Sequence, residues 1–298
     1  NYFAATEINR IRGEKIALIY AEGNIVDGKA AQGTIGAENY RNLIRKARLD
    51  RSIKAIVFRV NSGGGSSMAS ETIWRELSLA KQEKPVIVSF GDVAASGGYY
   101  ISCAADSIFA LPTTITGSIG VFGVIPNMQA FFKNKLGVTF DGVKTGPYAD
   151  AGAIYRPMND NEKKLVQANV NMIYSQFKQR VAEGRKKDTA YVDNIAQGRV
   201  WTGLRAKDIG LIDRFGGIDD AIKSAAVMAN LADYSVREYP EPKTFLDQFF
   251  GKSDPLNYSD KMKTELGEEN YKIYLEMKQV KEMSNTVQAR LPFQFFIH

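Results

Sequence analysis

Between residues 14 and 144, apolar runs too short for helices alternate with stretches of helical spacing, and that alternation restricts the chain to a sheet built from β-α units. Lys15–Tyr20 (KIALIY), Ile53–Val60 (IKAIVFRV) and Pro85–Phe90 (PVIVSF) are β-rich and almost continuously apolar, which predicts strands covered on both faces. Tyr40, Leu43, Ile44 and Ala47 recur at helical spacing within Glu38–Arg48, as do Ile73, Leu77 and Ala80 within Met68–Ala80, so each strand is followed by a crossover helix. The expected class is α/β.

Further along, the pattern predicts strands over Ser107–Leu111 and Val138–Val143, and helices over Met128–Leu136, Asn159–Arg185 and Gly217–Ala229. Asn159, with Glu162 three residues on, has the form of a capping box. Ser235–Tyr239 reads as an edge strand, and Pro240–Asp260 as a connector to a charged helix over Lys261–Met283. This gives a connector over 1–13, a main domain over 14–239, and a linker with a helical extension over 240–298. Asn1 is not preceded by a Met, so the chain reads as a piece of something longer from which a membrane anchor could be absent.

Histidine usage narrows the chemistry. The one histidine is His298, the last of 298 residues, which argues against a Ser-His-Asp triad, a Cys-His pair or a histidine-ligated metal. No metal cluster or nucleotide motif is apparent, so no metal and no cofactor is expected. One cysteine, Cys103, excludes an internal disulfide and reads as a small core hydrophobe. The net charge of +6 is scattered rather than gathered into a basic run, which gives no reason to expect nucleic acid as a partner.

Two glycine-rich turns follow strands: Asn61-Ser62-Gly63-Gly64-Gly65-Ser66 and Ala94-Ala95-Ser96-Gly97-Gly98-Tyr99-Tyr100. In open α/β sheets ligands bind beyond the carboxyl ends of strands, so both turns face one cleft. Glycine lets a backbone approach a bound group and aim its N–H donors at it. Ser96 is thus placed to attack a carbonyl while the N–H groups of Gly97 and Gly64 hold the oxyanion. Glycine turns after strands are also common structural devices, and that plain reading stands beside the chemical one. The first turn lacks both the Gly-Lys-Ser/Thr ending of a phosphate loop and dinucleotide-fingerprint spacing.

Taken together, RVNSGGGS (Arg59–Ser66), AASGGYYIS (Ala94–Ser102), TGSIGVFG (Thr116–Gly123) and GRVWTGLRAKDIGLID (Gly198–Asp213) resemble, in order and spacing, the signal peptide peptidase A (protease IV) family over roughly residues 14–235. The resemblance implies a Clp protease/crotonase-like fold of repeated β-β-α units and a Ser-Lys serine peptidase. It implies Ser96 as nucleophile, Gly97 and Gly64 as oxyanion donors, and Ser118 as the residue that orients the lysine. Short members carry that lysine in a Ser-Gly-x-x-Lys-Asp segment; here the segment is Thr145-Gly146-Pro147-Tyr148-Ala149-Asp150, and Ala149 stands at the lysine position.

Long members have tandem copies, with the lysine in the N-terminal one, and this chain resembles the C-terminal copy. Gly63 departs from the family's proline, which loosens that turn. Lys144 is the nearest substitute base, with a solvated loop lysine as its plain reading; Lys133 and Lys135 lie on a helix. Asp106 and Asp150 read as caps or ion pairs, and Trp74 and Trp201 as core. The family implies remnant signal peptides as substrates at the periplasm-facing side of the bacterial cytoplasmic membrane. As partners it implies the N-terminal half, further copies in a homo-oligomer, and the membrane surface through an anchor. Two other readings stay open: a non-proteolytic crotonase-like acyl- or peptide-binding scaffold, and a membrane-surface protein using the apolar end Leu291–Ile297.

Overall fold

Three long strands carry the molecule: β1 (Lys15–Glu22), β4 (Ile53–Ser62) and β6 (Val86–Ala95). A computed structural model of the chain describes residues 13–30, 33–240, 266–284 and 286–291. Beside the long strands lie β2 (Asn24–Val26), β3 (Thr34–Gly36), β5 (Gly64–Ser66), β7 (Ser107–Ala110), β8 (Ile115–Gly117), β9 (Phe122–Gly123), β10 (Val200–Thr202), β11 (Arg214–Phe215), β12 (Ser235–Tyr239) and β13 (Val287–Arg290). The helices are α1 (Ala37–Leu49), α2 (Ser67–Lys81), α3 (Gly97–Ser102), α4 (Gln129–Lys135), α5 (Asp160–Arg185), α6 (Thr189–Ile195), α7 (Gly203–Asp208), α8 (Ile218–Met228) and α9 (Glu268–Met283).

The main sheet runs β10-β8-β6-β4-β1-β12, with β7 also on β6 and β11 on β7. Only the β10–β8 pair is antiparallel. This is the α/β architecture read from the sequence, with strand pairs β1–β2 and β4–β5 each leading to a helix. Successive strand residues divide between two cores, because side chains alternate across a pleat. Ala17, Ile19, Ile56, Phe58, Val88 and Phe90 face α1, α2 and α3. Ile16, Leu18, Ala55, Val57 and Ile87 face α8. Each fully buried isoleucine or phenylalanine contributes about 1.5–3 kcal/mol.

Asn159 caps α5 as expected: its side chain accepts from Glu162 N at 2.9 Å, and Glu162 Oε2 accepts from Asn159 N at 2.8 Å. Strand β12 is the edge strand expected there, parallel to β1.

Three expectations need correction. Val138–Val143 is not a strand: its backbone pairs with no other strand, Val143 is fully exposed, and Phe140 stacks on Tyr155 at 5.0 Å between ring centroids. Alternating apolar residues define a strand only where a partner edge exists, and none reaches this loop. The first glycine turn is partly strand, since Gly64–Ser66 forms β5 in a second sheet ordered β3-β2-β5-β13-β9. Finally, the extension is not wholly helical: after α9 it returns as β13. Of the connectors expected over 1–13 and 240–260, residues 1–12 and 241–260 lie outside the described residues, as do the apolar end beyond Leu291 and His298.

Candidate active site

The long parallel strand β6 ends at Ala95, and the chain turns at once into α3, so that Ser96 stands at the junction. Ser96 has φ 53° and ψ −115°, a conformation that a side-chain-bearing residue adopts only when its surroundings impose it, at a cost of about 1–3 kcal/mol. Two backbone bonds fix it: Ser96 N donates to Gly117 O at 2.8 Å, and Tyr100 N donates to Ser96 O at 2.8 Å. Tyr99 anchors α3 from below by donating its hydroxyl to Leu211 O at 2.8 Å. This sharp strand-to-helix turn is the local geometry of an activated serine nucleophile.

The two glycine turns meet here. A Cβ on Gly97 would lie 3.1 Å from Gly64 Cα and 2.7 Å from Ser70 Oγ, and a Cβ on Gly64, whose φ is 101°, would lie 2.7 Å from Gly97 N. Only glycine permits that approach at either position. The donors are not equally prepared, because Gly64 N already donates to Ser62 Oγ at 3.1 Å in a buried contact. Ser62 was not singled out in the sequence, where it reads as an ordinary turn serine.

Ser118 follows Gly117, which β8 sets opposite Ala95, the residue before Ser96. It too has a positive φ, 49°, and its N–H donates to Arg199 O at 2.7 Å. With Gly120, Tyr174, Gln197 and Arg290 it lines a cavity of about 370 Å³. Ser96 Oγ donates to Gly120 O at 3.4 Å, a long contact with a carbonyl rather than with a base.

The lysine candidates stand apart. Lys144 is half exposed and pairs with Asp150 Oδ2 at 2.8 Å. Ala149 is exposed, and Lys133 and Lys135 occupy the last turn of α4. Asp150 belongs to a clamp in which Arg156 Nε and Nη2 donate to its two carboxylate oxygens at 2.7 Å, while the same guanidinium reaches Glu162 at 2.5 and 2.8 Å. Hydrogen bonds from Arg156 hold Glu162 down at about 2 and Asp150 lower still, and the carboxylates in turn raise Arg156. Asp106 accepts from Val86 N at 2.9 Å and pairs with Lys81, the latter being an ion pair of the kind expected of it. Cys103 ends α3 in the core, where burial pushes its thiol up to about 12 and leaves it inert. Trp74 is buried in the core and Trp201 packs against it.

Residues 78–232, just over half of the chain, match the profile of peptidase family S49. The chain belongs to that family. Over 236 residues it is 44% identical to Protease 4 of Salmonella typhi, a span that covers 79% of this chain and 38% of that one. Protease 4 of Haemophilus influenzae is 40% identical over 78% of this chain and 38% of its own length. An Arabidopsis thaliana protein named Serine protease SPPA, chloroplastic, is 39% identical over 73% of this chain and 33% of its own. The S49 chain thus spans about two fifths or less of the length of these relatives. Among solved structures, a point mutant of ClpP1 from Listeria monocytogenes is similar at a TM-score of 0.46 and 16% identity, covering 69% of this chain and 94% of that one, a likeness too slight to bear on the site. Among the described residues no group of three or more His, Cys, Asp or Glu is arranged to hold a metal, and no helix is long and apolar enough to cross a membrane.

Proposed function

We propose that this chain is the nucleophile-bearing part of a serine endopeptidase that works by a Ser-Lys dyad, with the lysine supplied by an N-terminal half. The observation that carries the reading is Ser96 itself, held at φ 53° directly ahead of Gly97 and against Gly64. Family membership supports peptidase chemistry. The exposed Ala149 and the ion-paired Lys144 support a base from elsewhere.

In the proposed reaction a neutral lysine takes the proton from Ser96 Oγ as the oxygen attacks the scissile carbonyl, and Gly97 N–H stabilises the oxyanion. Gly64 N–H joins it once Ser62 rotates away. The protonated lysine then gives its proton to the leaving amine, and water, deprotonated by the same lysine, releases the acyl group. A lysine at its ordinary value near 10.4 is protonated at neutral pH, so burial must lower it by about 3 units, or about 4 kcal/mol. Ser118, beside Ser96, is placed to hold that amine. Substrates are remnant signal peptides and other apolar segments at the periplasm-facing surface of a bacterial membrane, and the working form is a homo-oligomer tethered through an anchor.

The test is peptidase activity on an apolar fluorogenic peptide, measured for this chain alone and after adding the N-terminal half. Ser96-dependent activity in the reconstituted sample only is the expected result. Activity of the isolated chain that disappears in Lys144→Ala would replace the split dyad with an in-chain base, and no activity in either sample would favour an acyl- or peptide-binding scaffold.

A further inference from the structure

Ser96 is fully buried, as no nucleophile that must meet a peptide can remain. Against the two glycines beside it lies the chain's own strand β13. Strand β13 runs antiparallel to β5 on one side, setting Gln288 opposite Ser66, Ala289 opposite Gly65 and Arg290 opposite Gly64, and antiparallel to β9 on the other. It is therefore an extended segment held between two strand edges by backbone bonds, which is how clefts of this kind grip a peptide of variable sequence.

Its register carries the argument further. The Ala289 carbonyl oxygen presses on both oxyanion glycines: a Cβ on Gly64 would fall 2.1 Å from it, and one on Gly97 would fall 2.8 Å from it. Ser67 Oγ donates to Val287 O at 2.8 Å, and Leu291 N donates to Gly63 O at 2.9 Å. Val287 faces a cavity of about 380 Å³ lined by Ile125, Met158, Leu165 and Val166, whereas Arg290 faces the cavity beside Ser118. The Ala289 side chain is wholly enclosed. Strand β13 lies outside the S49-matched residues.

We infer that residues 286–291 are a tethered occupant of the substrate cleft, an internal peptide that shields Ser96 and must leave before a substrate strand can enter. The occupant also reports what the cleft accepts: a small residue whose carbonyl meets Gly64 and Gly97, with an aliphatic residue two positions before it. This rests on the peptidase reading for the identity of the cleft, but its test needs no cleavage.

The experiment measures binding of a fluorescent peptide, Ser-Asn-Thr-Val-Gln-Ala-Arg-Leu-Pro, to the 298-residue chain carrying Ser96→Ala, by anisotropy. Two variants release the strand: truncation after Met283, and Leu291→Pro, which removes the N–H that bonds Gly63. A segment tethered in the same chain competes at an effective concentration that reaches the order of millimolar, so release should strengthen binding by about tenfold or more. Replacing the peptide's Val by Asp should abolish the gain. Equal binding by the intact chain and both variants, or no binding by either variant while circular dichroism shows them folded, would overturn the inference. So would unfolding of both variants, which would make β13 an integral strand. If the peptide binds as expected while the reconstituted protein shows no Ser96-dependent cleavage, the occupied cleft stands and the peptidase reading falls.

Discussion

The turn around Ser96 and the loop around Ala149 are built on opposite terms. From Val93 to Ile119 the backbone is tied to neighbouring strands, and Ser96 and Ser118 are both forced to positive φ. From Gly137 to Ala151 the chain crosses the surface, mostly exposed, held chiefly by an Arg156 clamp and by Phe140, which meets Phe132 edge-on and stacks on Tyr155. The first region can store strain because the sheet over-determines it, and stored strain positions a nucleophile. The second can exchange side chains without disturbing the core, so a residue such as Ala149 is free to vary where Ser96 is not.

The sharpest break of this contrast is kinetic. In the reconstituted peptidase, Ser96→Ala is expected to lower kcat by about a million-fold, whereas Lys144→Ala should change it by no more than about twofold, the effect of a surface substitution. Glycine substitutions extend the comparison to stability. Gly97→Ala drives a methyl into Ser70 Oγ, Ala289 O and Gly64 Cα and should cost about 1–3 kcal/mol in urea unfolding; Gly146→Ala, with nothing within 4 Å, should be close to neutral.

Relieving the turn should run the other way. Ser96→Gly removes the cost of positive φ and is expected to stabilise the chain by about 1 kcal/mol, or about 2 °C in Tm, while Ser96→Ala leaves the strain in place. A calorimetric scan that ranks the two alike would remove the strain argument. The smallest effect is on pH. Asp150 and Glu162 are depressed in the folded state, so their contribution to ordering the loop is complete above about pH 4.5 and is lost as pH falls through about 2. Amide exchange of residues 144–158 should therefore be flat from pH 7 to 5, after correction for intrinsic rates, and rise below that. Arg156→Ala should bring the rise toward neutral pH.

Several of these features are legible in one dimension. The strands β1, β4 and β6 are visible because burial on both faces demands unbroken apolar runs, and α5 is visible because Asn159 and Glu162 satisfy each other's backbone groups locally. Ser96, Gly97 and Gly64 are legible as candidates because glycine after a strand lets a backbone approach a bound group, although such turns are also common structural devices. The short strands β2, β3, β5 and β8 are not, since three residues carry no period. Val138–Val143 carries a strand's alternation and forms none. Ser62, which occupies the Gly64 N–H, looks like any turn serine, and β13 looks like the tail of a helical extension.

By itself the sequence determined what local chemistry determines: the α/β class, the helix cap and a serine followed by glycines at the end of a strand. The tertiary structure alone decided that Gly64 meets Gly97, that Ser96 is forced to positive φ, that Lys144 is spent on Asp150, and that a strand 190 residues or more away along the chain packs against Gly64 and Gly97. Each of those is a contact between segments far apart in sequence, fixed by strand pairing and packing, and no local pattern of residues encodes which edges will meet.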